Sequence, residues 1–565
     1  MPVGILAFFA FLPILVALVL MVAFRWPATR AMSLAWAVSA LSAILVWKMD
    51  TLLVLAATLQ GFGNAITVLL IVFGALLILY TMTESGGMET INHGFHGISK
   101  DRRVQAIIIA FLFSAFIEGA AGFGTPAAIA APFLLSLGFP AMAAVLVTLI
   151  LNTVPVTFGA VGTPIWLGLK NLTPRVEAAI ASTPGEVGFT SPETFFTLIG
   201  QWAAVFHTGM AFILPLFVVC FLTRYFGRNK SWKEGLGAWK FSLAASVSFV
   251  IPYLGSAFLL GEEFPGLLGG IVGLAAMIIF AKNGAFMPRS VWDFGPQSTW
   301  EPEWTGVIRT SETIAFESRM SQFRAWLPYI LIGAILVMTR LKFLPFIGWI
   351  TAFEIHISDI LGQEGVHYTL QPFYNPGVVP FVLVAALTAF IHKMNPSQVK
   401  KAWFTAIRRL KTPTVALLFA VALVQIFRNS AQNPMDYASM PLAMAEAVAV
   451  MTGPVWPMLA AFIGALGSFI TGSNTVSNLL FAEFQYGIAG TLNLPHQIIV
   501  ALQAVGGAMG NMVCIHNIIA VSATVGLLGR EGLILRKTVV PLILYGFFVG
   551  GFGLFFSYVL FPHVF

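Results

Sequence analysis

The chain has 565 residues, of which 58% are hydrophobic and 9% charged. A soluble domain carries about 45–50% apolar and about 25% charged residues, so this chain cannot cover a water-facing surface, and a disordered chain is excluded by the same excess of apolar residues. Two cysteines, Cys220 and Cys514, exclude a disulfide scaffold, and the net charge of +7 lies in short runs between apolar segments, which argues against a nucleic-acid surface.

A membrane span needs about 20 apolar residues. Gly4–Phe24 is read as the first span and not as a cleavable leader: no basic segment precedes it, and it runs on into Arg25-Trp26-Pro27. Ala31–Trp47 is the second. Gly61–Met82 is the third, preceded by an amphipathic Thr51–Gln60. A basic cluster at 100–103 follows. Val104–Ile117 is short for a span, and it meets a Gly-rich turn, Glu118-Gly119-Ala120-Ala121-Gly122-Phe123-Gly124-Thr125-Pro126, before a second short run to Leu137. Two half-length helices around such a tip predict a re-entrant hairpin over 104–137, since non-helical backbone at membrane depth needs protein or a wet cavity around it. Ala141–Asn152 leads into Thr153-Val154-Pro155 and Gly162-Thr163-Pro164, which predicts a span broken at mid-depth over 141–169. Phe195–Phe226, Phe241–Gly261 and Pro265–Ala281 are spans. Residues 282–325 form the longest polar stretch, read as amphipathic helix or loop. Trp326–Leu344, Val378–His392 and Thr414–Phe427 are spans, and Met435–Thr452 is amphipathic.

The pattern then returns. Pro454–Phe469 and Leu479–Ile488 flank a polar tip, Gly472-Ser473-Asn474-Thr475, which predicts a second hairpin over 454–488. A second broken span covers 497–528, interrupted at Gly506–Asn511, and Val539–Leu560 is the last span. Thr125 precedes Thr163 by 38 residues, and Ser473 precedes Asn511 by 38. The chain is therefore expected to be an all-α polytopic membrane protein, with about 12 transmembrane helices plus two re-entrant hairpins. Its two inverted repeats would span 1–226 and 326–565, joined by linking spans and a cytoplasmic segment over 227–325. Interrupted helices at matched places in inverted repeats point to a transporter's binding site. With both termini outside, 24 of the 30 Lys and Arg residues fall on the cytoplasmic side, as the positive-inside rule requires.

A hairpin tip presents free backbone N–H groups at a helix N-terminus, and these favour an anion. Gly122, Gly124 and Thr125 in the first tip, and Ser473, Asn474 and Thr475 in the second, are candidate substrate contacts. The alternative is that these small residues only permit close helix packing. Thr163 in the first break and Asn511 in the second are candidates for the opposite wall, with Asn152, Thr153, Thr157, Gln503, His516 and Asn517 nearby; the alternative is a kink patched by its neighbours. Ionisable groups inside the membrane are few. A carboxyl group held away from water takes up a proton near neutral pH more readily than an exposed one, so Glu118 is read as a proton carrier, with a structural cap of the tip as the alternative. His516 is a second titratable candidate, or a packing residue. His207 reads as a satisfied core histidine. Arg428 either pairs with a carboxylate or reaches out to the surface. No Walker loop and no metal-ligand spacing occurs, so neither an enzyme nor a cofactor is expected.

The run from Phe116 to Pro126, the run from Leu151 to Pro164 and the Gly-Ser-Asn-Thr stretch at 472–475 resemble the lactate permease family, and the resemblance extends over nearly the whole chain. It implies a bacterial inner-membrane permease that takes up L-lactate, D-lactate and glycolate with protons. The family is grouped with a wider ion-transporter superfamily in which Ser-Asn-Thr tips hold substrate and, in some members, Na⁺; a sodium-coupled carboxylate or anion carrier is the alternative. That grouping also implies a homodimer and an elevator-type movement. One departure stands out: where family members often carry an Asn-Tyr-Ser-Gly-like stretch, this chain has Arg428-Asn429-Ser430-Ala431-Gln432, which could shift the preference away from plain lactate. A channel would need a continuous polar pathway, and a membrane enzyme a catalytic constellation.

Overall fold

A computed structural model describes residues 1–24, 26–122, 124–182, 188–306, 319–340, 344–375, 378–527 and 529–565. Among these the architecture is helical, with 10 helices long and apolar enough to cross a membrane, or up to 12 if each of two bent pairs counts as one span. The only sheet among the described residues is a small antiparallel pair, in which Ile355 faces Leu370 and Ile357 faces Tyr368. The hydropathy reading did not anticipate this pair.

Two helices exceed their expected lengths. Thr51–Glu84 is a single 34-residue helix, started by the Asp50 carboxylate accepting from the Leu52 N–H. The amphipathic 51–60 stretch is therefore its first turns and not a separate element. Pro396–Asn429 is also 34 residues long and begins with a capping box between Asn395 and Gln398. At about 1.5 Å per residue Thr51–Glu84 extends about 50 Å, well beyond a hydrocarbon core of about 30 Å, whereas Pro396–Asn429 bends by 47° between Pro396–Lys411 and Thr414–Asn429. They pack along each other, and Gly61 lies so close to the Ala422 backbone that no side chain would fit between them.

The helix before the first tip runs from Arg102 to Ala120, with a π-helical stretch over Ile107–Phe113, and is itself long and apolar enough to cross a membrane. It is longer than Val104–Ile117 because Asp101 caps it in the polar segment. Asp101 also pairs with Arg103 at 2.6 Å and accepts from the Trp292 N–H, which ties the basic cluster to the 282–306 segment. The helix is buried along its length. Gly266 and Gly270 of Pro265–Lys282 bring that helix onto the backbone of Gly119 and Phe116, the small-residue contact by which membrane helices approach closely.

The other helices of the functional region are Thr125–Ser136, Ala141–Leu151, Pro192–Phe226, Trp456–Thr471, Asn474–Thr491, His496–Gly510, Ile515–Thr524 and Glu531–Phe555. His496–Gly510 packs against Trp456–Thr471, Asn474–Thr491 and Pro192–Phe226, and Thr125–Ser136 packs against Ile515–Thr524. The two tips and the two breaks are thereby gathered into one region.

Candidate functional site

The first tip, Ala121–Gly124, turns through left-handed backbone at Gly122 (φ +60°) and Gly124 (φ +74°), a conformation that glycine adopts without steric cost. Thr125 Oγ1 donates to the Gly122 carbonyl at 2.8 Å. A side chain at Gly122 would meet Ala160, and one at Gly124 would meet Asn517 Oδ1. One turn earlier, Glu118 is 2% exposed. Its Oε2 accepts from Asn152 Nδ2 at 2.8 Å, and its Oε1 faces Gly159, where no side chain would fit.

The first break bends by 49° between Ala141–Leu151 and the segment from Val154. A 3₁₀ turn over Val154–Phe158 leads to three consecutive left-handed residues, Ala160 (φ 44°), Val161 (φ 58°) and Gly162 (φ 71°). This conformation costs an L-residue about 1–2 kcal/mol, so packing must hold Ala160 and Val161 there, and both are buried. Thr163 Oγ1 donates back to the Ala160 carbonyl.

The second tip is a single left-handed glycine, Gly472 (φ +79°), between Trp456–Thr471 and Asn474–Thr491. Ser473 caps the second helix by accepting from the Val476 N–H. Asn474 is 3% exposed, and neither of its side-chain polar atoms has a hydrogen-bond partner among the described residues. It lies against Gly507 so closely that a Cβ there would meet Asn474 Oδ1, with Ser468 Oγ also within reach. The second break leaves Asn511–Cys514 between two helices. Asn511 Oδ1, Ser468 Oγ and His516 Nδ1 are likewise buried without partners among the described residues.

These pieces line one small pocket, partly open to solvent, that encloses about 20 Å³. That is room for about one water molecule. Glu118 lines it from the helix before the first tip, and Val156, Gly159, Ala160 and Pro164 from the first break. Gly472, Ser473, Asn474 and Thr475 line it from the second tip, and Asn511 from the second break. Gly122, Gly124, Thr125 and Thr163 lie behind the lining and shape the tip and break. His516 faces the back of Gly472. Arg428 is not among the lining residues; it ends Pro396–Asn429, which packs against the Asn474–Thr491 helix that carries Glu483.

His207 is a clamp. Thr157 Oγ1 donates to the Ala504 carbonyl at 3.2 Å and accepts from His207 Nε2 at 2.7 Å, while His207 Nδ1 accepts from the Tyr545 hydroxyl. One satisfied imidazole thus links both breaks to the last span. The sequence reading missed Gly159 as a wall of the cavity. One signal was available: Gly159 and Gly507 are 348 residues apart, the same separation as Thr125 and Ser473.

A family model described as L-lactate permease matches residues 6–560. The chain belongs to the L-lactate permease family. A Haemophilus influenzae protein is 31% identical over 547 residues, covering 93% of this chain and 92% of that one. The L-lactate permease of Bacillus subtilis is 28% identical, covering 88% of this chain and 86% of its own length. The glycolate permease of Escherichia coli is 25% identical, covering 98% of this chain and 96% of its own. Membership in this permease family, with the apolar helices, makes the chain a multi-pass membrane protein.

Proposed function

We propose that this chain is a secondary active transporter that symports a proton with L-lactate and related 2-hydroxymonocarboxylates, D-lactate and glycolate, across the bacterial inner membrane, with both termini outside. Names among its relatives include lactate and glycolate permeases, acids that share a carboxylate and a 2-hydroxyl. The observation that carries the reading is the placement of Glu118 in the same small cavity as the Ser473–Thr475 tip. The carboxylate would be held by the tip's backbone amides and by the hydroxyls of Ser473 and Thr475, the 2-hydroxyl by Asn474 or Asn511. Both side chains of the second pair have polar atoms without partners among the described residues, and such atoms are costly unless a ligand satisfies them.

An anion in this cavity repels an ionised Glu118. For charges about 5 Å apart at an effective dielectric of about 20, the repulsion is about 3 kcal/mol. The anion therefore binds best when Glu118 carries a proton, and the two cross together. Uptake of labelled lactate into proteoliposomes tests this: an imposed inward proton gradient should drive accumulation, with glycolate competing and succinate not. Accumulation indifferent to the proton gradient refutes proton coupling.

A sodium-coupled carrier is the second reading. Asn474 Oδ1 and Ser468 Oγ both lie beside Gly507, and with Asn511 Oδ1 they are buried oxygens without partners among the described residues. Hard cations take such ligands. Accumulation driven by a Na⁺ gradient at equal pH would favour it.

A further inference from the structure

Beyond the cavity, the return arm of the second hairpin is laced to the segment after the first break. Asn478 Nδ2 donates to the Pro164 carbonyl at 2.9 Å, Asn171 Nδ2 donates to the Leu479 carbonyl at 3.3 Å, and Arg175 Nε donates to Glu483 Oε1 at 3.0 Å. The third link is ionic and lies farthest from the tip, nine residues along the helix from Asn474, or about 14 Å. The Glu483 side chain is 9% exposed and that of Arg175 32%, so Arg175 reaches from solvent to a buried carboxylate.

Two further cations converge there. Arg428 ends Pro396–Asn429 and Lys170 opens Lys170–Leu172, both of which pack against the Asn474–Thr491 helix, and Gln425 Nε2, three residues before Arg428, donates to Asn171 Oδ1, next to Lys170, at 3.2 Å. Among the described residues neither Lys170 nor Arg428 has a carboxylate within ion-pair distance. Arg175 and Arg428 thus share the Glu483 carboxylate, with Lys170 beside Arg428, on the face that the charge distribution assigns to the outside. Such an excess draws anions to a mouth, and guanidinium groups recognise carboxylates through paired N–H donors.

We propose that Lys170, Arg175 and Arg428 form a capture site for a small organic carboxylate at the outer mouth of the cavity, with Glu483 as the internal anion that the entering carboxylate displaces. The site rests on the reading of the chain as a carboxylate carrier. Displacement of Glu483 breaks the ionic link between the second hairpin and the first break, so capture also loosens the hairpin arm.

The test compares full-length wild type, Lys170→Gln, Lys170→Gln/Arg428→Gln and Glu483→Gln. Lactate uptake into proteoliposomes is measured at low and high ionic strength, beside the thermal stabilisation of each purified protein by lactate and by acetate. Salt screens charges beyond about 10 Å at 0.1 M, so the wild-type KM should rise with ionic strength. The double variant should raise KM on the order of tenfold at low salt, the loss expected for a charge-assisted contact. Its KM should change more than its maximal rate, and its salt dependence should flatten. Lys170→Gln, at an exposed position, should show the same trend more weakly, and Glu483→Gln should lower KM. An unchanged KM and unchanged salt dependence in a folded double variant overturn the capture site. If the wild type moves no hydroxycarboxylate, the proposed substrate is wrong and stabilisation decides: stabilisation by acetate that needs Lys170 and Arg428 upholds the site, and stabilisation independent of them overturns it.

Discussion

Replacing Glu118 by Gln separates the proton from the substrate. Glutamine keeps the shape of the side chain, and its carbonyl oxygen can still accept from Asn152 Nδ2, the contact that Oε2 makes at 2.8 Å. Its amide needs no more room beside Gly159 than Oε1 does, so the variant should fold. The negative charge can no longer form. In the wild type, an ionised Glu118 weakens anion binding by about 3 kcal/mol at about 5 Å and an effective dielectric of about 20, which is about a hundredfold in affinity. Lactate affinity of the wild type should therefore weaken as pH rises through the range where Glu118 ionises, while that of Glu118→Gln stays flat and matches the wild type at low pH. In proteoliposomes the variant should still exchange external labelled lactate for internal unlabelled lactate, yet fail to accumulate lactate under an imposed proton gradient. Full proton-driven accumulation by Glu118→Gln would refute the role of this carboxyl group. Loss of exchange together with accumulation, in a folded variant, would make Glu118 a structural cap of the tip.

Ser473→Ala with Thr475→Ala removes two hydroxyls from the cavity wall and should raise the KM for lactate on the order of tenfold or more, at about 1 kcal/mol or more for each contact; unchanged affinity would remove the second tip from the site. Gly507→Ala places a methyl group against Asn474 Oδ1, and overpacking of this kind costs about 1–3 kcal/mol, so melting temperature and lactate affinity should both fall. Gly551→Ala, with nothing near its new methyl, should leave both unchanged. His207→Phe strands the Tyr545 hydroxyl and takes one of the two partners of Thr157 Oγ1, and at about 1–3 kcal/mol for a stranded group the protein should melt several degrees lower in detergent; an unchanged melting temperature would show that the clamp carries no stability.

Glu118 could be singled out from the sequence because an ionisable residue inside an apolar run is rare for a physical reason, the cost of burying charge. The tips could be singled out because glycine before Thr125-Pro126, and Gly472 before a Ser-Asn-Thr cap, are local signals of a helix ending and another beginning. The lengths of Thr51–Glu84 and Pro396–Asn429 were not legible. Thr51–Gln60 read as a separate amphipathic stretch and 393–411 as a basic segment between spans, yet both are helix because caps at Asp50 and Asn395 start them ahead of the apolar stretch. The strand pair at 355–357 and 368–370 was hidden as well. It lies against Thr51–Glu84, with Tyr368 beside Gly63 and its hydroxyl 3.0 Å from Thr67.

By itself, then, the sequence determined the solvent this chain lives in, the apolar segments that cross it and the few polar residues that interrupt them, since hydropathy and helix-end chemistry act over tens of residues. Only the tertiary structure decided which interruptions meet. Glu118 and Ser473 share a cavity across more than half the chain, and Arg175 finds Glu483 across a separation of 308 residues. Those meetings depend on close approach wherever glycine leaves room, of backbones at Gly266 and Gly270 and of the Glu118 and Asn474 side chains at Gly159 and Gly507. Close packing of that kind is a property of pairs of helices, and no single stretch of sequence contains it.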